Sequence, residues 1–237
     1  MDSGLIGVLR STRSVAVVGA TPKPGKVGYE ILKNLMQGGF SGDIFPVNPK
    51  YDRIMGVRAW PSISELPKTP DVVVIAVPRE YVLGVVEEAG AKGSKIAVII
   101  TAGFREAGYV DLERRISELS KKYGIRVVGP NSAGISIPHI GMYACIEYPA
   151  PPGGVAVFAQ SGALGGVIMS RLKNLGSGVS IFVSLGNMID VNFTDLFEYA
   201  LYDDRTEAVF AYVEWVKNGK TFIRLGSELS KRKPLVI

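Results

Sequence analysis

Two glycine-rich loops hold the residue types that could do chemistry. The first is Gly19-Ala20-Thr21-Pro22-Lys23-Pro24-Gly25-Lys26-Val27-Gly28, set between an apolar run and a segment of helical period. Strand, glycine turn and helix form the geometry in which backbone N–H groups and a helix dipole hold a phosphate. A P-loop needs four residues between its first glycine and the Gly-Lys pair, then Ser or Thr for magnesium. Here five residues separate Gly19 from Gly25, and Val27 follows Lys26. The dinucleotide fingerprint needs glycine where Thr21 stands, and an acid at the end of the second strand for bare ribose hydroxyls. That strand ends in Val47-Asn48-Pro49-Lys50. A lysine there suits a phosphorylated ribose. NAD therefore fits poorly, NADP better, and coenzyme A, a 3′-phosphorylated nucleotide, best.

The second loop is Gln160-Ser161-Gly162-Ala163, directly after another apolar run. Ser161 suits a helix N-cap, and Gly162 lets backbone approach an anion. An ordinary capped helix would read the same way. A nucleophile elbow is excluded, because Ala159 takes its first glycine position and His139 is the only histidine.

The elements that position these loops follow from hydrophobic periodicity. Strands are predicted at 14–19, 43–47, 72–77, 96–101 and 126–128, with helices near 27–36, 79–91 and 110–123. A second series has strands at 155–159, 179–183, 208–213 and 234–237, with helices near 163–175, 194–201 and 222–231. Continuous apolar strands alternating with helices imply parallel sheets covered on both faces. Between them, 136–154 collects Pro138, Pro149, Pro151 and Pro152 with Gly153 and Gly154, the composition of a linker or domain edge. The expected units are 1–145 and 146–237. The final apolar triplet, Leu235-Val236-Ile237, reads as a closing strand or as the point where a larger protein continues.

The 237 residues are 47% apolar, enough to bury a core, which excludes a mainly disordered chain. A single cysteine, Cys145, excludes an intrachain disulfide framework and a cysteine-based zinc site, and no metal site is expected. The longest clean apolar run, 72–78, is far below the about 18 residues of a membrane span. Leu5 to Leu9 precede Arg10 and Arg13, the wrong order for a signal peptide. A cytoplasmic protein is the expectation. The net charge of +5 is scattered, so a small anionic ligand fits better than nucleic acid.

Taken together, these motifs resemble the α subunit of ADP-forming acyl-CoA synthetases, relatives of succinyl-CoA synthetase. The resemblance runs from about Ser14 to the end of the chain. It is carried by the 19–28 loop, Val47-Asn48-Pro49, Ala76-Val77-Pro78, Ile100-Thr101-Ala102-Gly103-Phe104 and Gly129-Pro130-Asn131-Ser132. The second half adds Gln160 to Gly165, Gly186-Asn187 with Asp190, and Tyr212-Val213-Glu214. The fold it implies is α/β: a Rossmann-like CoA-binding domain, then a flavodoxin-like α/β ligase domain.

The resemblance also implies roles. Coenzyme A would contact Gly19, Ala20 and Thr21, with Lys26 and Lys50 near its phosphates. Val47, Asn48 and Pro49 would complete the nucleotide end. Ala76, Val77, Pro78, Ile100, Thr101, Ala102 and Asn131 would follow the pantetheine. Gln160, Ser161, Gly162 and Ala163 would cradle a phosphoryl group, and Glu214 would orient a phosphohistidine. In such enzymes acyl-CoA and phosphate give acyl phosphate and CoA. The acyl phosphate then phosphorylates a histidine, and an ATP-grasp β subunit or domain, which brings the magnesium nucleotide, makes ATP. The expected partners are thus that ATP-grasp chain, acyl-CoA or a carboxylic acid, and phosphate, in an oligomer. One departure stands out: the reactive histidine of such enzymes follows a strand resembling 233–237, and His139 lies elsewhere. The chain is therefore expected to be inactive alone. A CoA-binding regulatory module and an NADP-dependent oxidoreductase are the alternatives. The latter lacks an evident hydride-transfer constellation.

Overall fold

The computed structural model describes residues 5–237; residues 1–4 of the first expected unit lie outside the described residues. The first half begins with a short helix α1 (Leu5–Ser11) and strand β1 (Ser14–Val18). Helix α2 (Val27–Gln37) and β2 (Asp43–Val47) follow, then a two-stranded hairpin, β3 (Arg53–Ile54) and β4 (Val57–Arg58). Next come β5 (Val72–Ile75), α3 (Arg79–Lys92), β6 (Ile96–Ile99), α4 (Val110–Tyr123) and β7 (Arg126–Val128). The main strands form one parallel sheet in the order β2-β1-β5-β6-β7. The order reverses between β1 and β5, which opens a crevice at their C-terminal ends.

Both faces of this sheet are covered, as its unbroken apolar strands require. Val72 and Val74 of β5 face one core, with Val15, Val17 and Ile31, Leu32 and Leu35 of α2. Val73 and Ile75 face the other, with Val82 and Val86 of α3 and Ile116 of α4. Alternate residues of a strand point to opposite faces, so one apolar run feeds two cores. All nine of these strand and α2 residues and their α3 and α4 partners are fully buried.

The second half contains β8 (Gly134–Ile137), β9 (Met142–Cys145), β10 (Pro152–Ala159), α5 (Gly162–Asn174) and β11 (Val179–Ser184). Then come α6 (Phe193–Tyr202), β12 (Ala208–Tyr212), α7 (Gly219–Ser230) and β13 (Leu235–Val236). Its sheet runs β13-β12-β10-β11-β8-β9. Strands β10 to β13 are parallel, whereas β8 runs antiparallel to β11, and β9 to β8. The expected α/β class is present, as one parallel sheet and a second, mixed sheet.

The structure differs from expectation at 136–154. About half of the segment read as a linker is sheet: β8 pairs with β11 through Ser136 to Phe182 and Ile135 to Val183. Pro138 starts a 3-10 turn between two hairpin strands, so this breaker marks a corner inside the sheet. Sheet membership therefore crosses the expected division at 145/146.

The two halves interlock. Arg126 at the start of β7 pairs with Asp190 and Asp195, both at 3.0 Å. Asp190 also accepts a hydrogen bond from the Val127 N–H at 2.8 Å. The Asn187 amide nitrogen donates to Glu106 and Glu113, each at 2.7 Å. Burial works against charge on Glu106, yet the hydrogen bonds from Asn187 and the Gly103 N–H hold its pKa below the usual carboxylate range.

Candidate active site at the two sheet edges

The first-half motifs gather at the C-terminal edge of the parallel sheet, and hydrogen bonds tie them together. Gly19 donates its N–H to Val47 O at 2.9 Å. The Asn48 side chain donates to Ala20 O at 2.8 Å and accepts from Lys50 N–H at 3.0 Å. The Thr101 hydroxyl donates to Val77 O at 2.7 Å. The chain turns at Gly19 with φ of 90°, and a Cβ there would stand 2.4 Å from Ala76 O. Only glycine lets the loop lie this close to β5 in that conformation. Lys26 and Lys50 are exposed at the same edge, as are Pro49 and Pro78.

In the second sheet the order reverses at β10, between β11 and β12. Gln160, next after β10, lies there and is 5% exposed. Its side-chain oxygen accepts from the N–H groups of Glu214 at 2.6 Å and Trp215 at 2.9 Å. The Glu214 backbone is thereby held beside the end of β10, with the residue exposed to solvent. Ser161 is the N-cap of α5, its hydroxyl accepting from Leu164 N–H at 3.4 Å. The first-turn N–H groups of Gly162 and Ala163 have no partner within the helix, as at any helix start.

One cavity of about 560 Å³ joins the two edges. Of the residues singled out in sequence, Ala76, Val77, Ile100, Thr101, Ala102 and Asn131 line it from one side. Gly162 and Ala163 line it from the other. Gly19 to Thr21, Lys26, residues 47–50 and Pro78 are not in its wall; they lie along the rim of the first sheet. Gln160, Ser161 and Glu214 are likewise outside the wall. Gly162 is packed against Ala133, whose Cβ would be 2.6 Å from a Cβ at 162. A larger residue at Gly162 would therefore push on the seam between the sheets.

Sequence reasoning missed Ile146 and Glu147, which also line this cavity. They sit in the stretch read as linker, and no motif marks them. The available signal was an acid between Ile146 and Tyr148, flanked by turn residues. Burial raises the Glu147 pKa above the usual carboxylate range. His139 is at the far end of the second sheet, in the β8–β9 turn, where its Nε2 meets Gly153 O at 3.0 Å. Gly153 is at the N-terminal end of β10, opposite the cavity edge. Among the described residues no cluster of His, Cys, Asp and Glu could hold a metal ion. No helix among them is long and apolar enough to cross a membrane.

Comparison with known proteins agrees with this architecture. The chain belongs to the CoA-binding domain family, whose model matches residues 13–138. Residues 152–237 match the succinyl-CoA ligase-like flavodoxin domain. The chain is 45% identical over 225 residues to an ADP-forming acetate–CoA ligase of Methanocaldococcus jannaschii, covering 94% of this chain and 32% of that protein. It is 40% identical over 228 residues to the α subunit of the ADP-forming acetate–CoA ligase II of Pyrococcus furiosus, covering 94% and 49%. A solved acetyl-coenzyme A synthetase of Ca. Korarchaeum cryptofilum, described as dinucleotide forming and complexed with phosphate and ADP, superposes with a TM-score of 0.93. It is 38% identical, with 97% of this chain and 50% of that one covered. The chain thus spans a third to a half of the curated relatives it matches, and corresponds to their CoA-binding and first ligase domains.

Proposed function

We propose that this chain is the CoA-binding portion of an ADP-forming acyl-CoA synthetase, which converts acyl-CoA, ADP and phosphate to acid, ATP and CoA. The observation that carries this reading is the shared cavity. It joins the strand-end residues expected along pantetheine to the first turn of α5. A thioester carried along the first sheet edge would arrive where Gly162 and Ala163 offer backbone N–H groups to phosphate. A helix N-terminus stabilises a nearby anion by only about 0.3–1 kcal/mol, or up to about 2 kcal/mol when partly buried. Hydrogen bonds to the amides must add to this before phosphate is held for attack on the thioester carbonyl.

The nucleotide end of CoA would lie along Gly19 to Thr21 and residues 47–50. Exposed Lys26 and Lys50 would meet its phosphates. Glu214, fixed through Gln160, would accept a hydrogen bond from an incoming imidazole and stabilise its charge during phosphoryl transfer. That imidazole is not His139, which lies at the opposite sheet edge. We assign the phosphoryl-carrying histidine to sequence outside these 237 residues, and the magnesium nucleotide to an ATP-grasp partner within an oligomer.

Calorimetric titration with CoA, NADPH and NADH tests the first part. CoA should bind at least about tenfold tighter than either dinucleotide. Lys50→Glu should weaken CoA about tenfold, the scale of losing one charge-assisted contact. Tighter binding of NADPH would overturn the assignment. For the second part, the chain alone should not make acyl-CoA from acid, CoA and ATP. Turnover by the pure chain that His139→Ala abolishes would refute it.

A further inference from the structure

Residues 146 and 147 form a thin wall between two cavities. Ile146 and Glu147 line both the 560 Å³ cavity of the site and a neighbouring one of about 500 Å³ against α2. The wall is pinned from two sides. The buried Asn34 side chain of α2 donates to Cys145 O at 2.9 Å and to Glu147 O at 3.1 Å. On the other side Ile146 N–H donates to Ala133 O at 2.9 Å. The backbone is thus fixed at each residue from 145 to 147, and the side chains at 146 and 147 are presented from a set position.

Among the described residues, Glu147 is the only ionisable one in the wall of the site cavity. The remaining side chains there are aliphatic, or the small polar ones of Thr101, Asn131 and Ser132. The Glu147 carboxylate rests against α5 at Gly166, where a Cβ would be 2.0 Å from its Oε2. Gly166 is one helical turn beyond Gly162, about 6 Å along the axis. The acid therefore stands about one turn from the N–H groups to which a reacting carbonyl and phosphate would be drawn. That interval is the length of a short acyl chain.

We infer that Ile146 and Glu147 form the acyl end of the cavity, and that the Glu147 carboxylate selects acyl groups with an uncharged tail over those ending in a second carboxylate. This rests on the reading that CoA brings its thioester to the start of α5. Ile146 supplies apolar contact for a hydrocarbon tail. A four-carbon dicarboxylic acyl group would put its free carboxylate beside Glu147, with no cation among the described residues lining the cavity to compensate. Like charges in a partly desolvated site disfavour each other's ionised form, so a charged tail enters only against repulsion or with uptake of a proton.

The test is calorimetric titration of the chain with free CoA, butyryl-CoA and succinyl-CoA. The two thioesters have the same chain length and differ in the terminal charge. Butyryl-CoA should bind at least about tenfold tighter than succinyl-CoA. Glu147→Gln, close in shape and uncharged, should shrink that ratio to about threefold or less. Glu147→Lys should invert it. Equal affinities in the unaltered chain, or a preference that survives Glu147→Gln, would overturn the inference while CoA binding stands. Failure of free CoA to bind would remove the functional reading and this inference with it.

Discussion

Gln160 holds Glu214 in place: the side-chain oxygen of the first accepts the backbone N–H of the second at 2.6 Å, and that of Trp215 at 2.9 Å. A buried amide thus anchors a segment whose carboxylate faces water. The Gln160 side-chain nitrogen has no hydrogen-bond partner among the described residues. The anchor therefore rests on the oxygen alone.

Gln160→Leu keeps the bulk but leaves two N–H groups without their acceptor. The expected loss is about 1–3 kcal/mol of stability, the scale of unsatisfied buried donors. Urea denaturation monitored by circular dichroism measures it. If the unfolding midpoint does not move, water replaces the amide and Glu214 needs no such anchor.

Gly19→Ala tests the close approach of the first loop to β5. The backbone there has φ of 90°, and the added methyl would stand 2.4 Å from Ala76 O. A destabilisation of about 1–3 kcal/mol is expected from strain at such a position, with CoA affinity reduced in parallel. Thermal melts and calorimetry together check both outcomes. A variant as stable as the parent would show that the loop moves freely.

Asn187→Ala removes the donor that bridges Glu106 and Glu113. About 1–3 kcal/mol should be lost in denaturant titrations near neutral pH. The pH dependence has a definite sign. Glu106 has its pKa lowered from the ordinary 4.5 by the native hydrogen bonds that outweigh burial. Its contribution is present above that value and disappears as pH falls through the lower folded value. The variant should therefore lose less stability on acidification than the parent. An identical acid profile would mean that this hydrogen bond does not tune Glu106.

Cys145 should be inert in the folded chain. It is 1% exposed, and burial pushes its thiol up to about 12 from the ordinary 9.0. Iodoacetamide at pH 8 should leave the native mass unchanged and add one group in denaturant. Because the unfolded thiol ionises first, this residue favours the fold fully below pH 9, and that support fades as pH rises toward 12. Rapid native alkylation would contradict the buried position.

Much of the architecture was legible because the strands of the first sheet are buried on both faces. Val72 to Ile75 could not be a polar-faced strand, and the helical stretches between such runs forced parallel crossovers. The loops at strand ends were legible for a related reason. Gly19 must be glycine to approach β5, so the residue itself reports the geometry. Strands β8 and β9 were not legible, because Pro138 and the later prolines read as an exit from structure. The turn that Pro138 opens is held inside the sheet by pairing with β11, a contact far along the chain. Helix α1 has only seven residues, too few for a period to emerge. Glu147 was missed because its importance comes from α5 and Asn34 arriving beside it, and no local spacing encodes that.

The β8–β9 hairpin also bears on how such a polypeptide could be recombined. A break between 145 and 146 would strand two β-segments upstream and bare the flank of β11 downstream. Strand pairing instead places the change from the first sheet to the second before Gly134. That boundary falls beside Asn131, Ser132 and Ala133, which wall the ligand cavity. Swapping either half for a foreign counterpart would thus rewrite the cavity wall at the join.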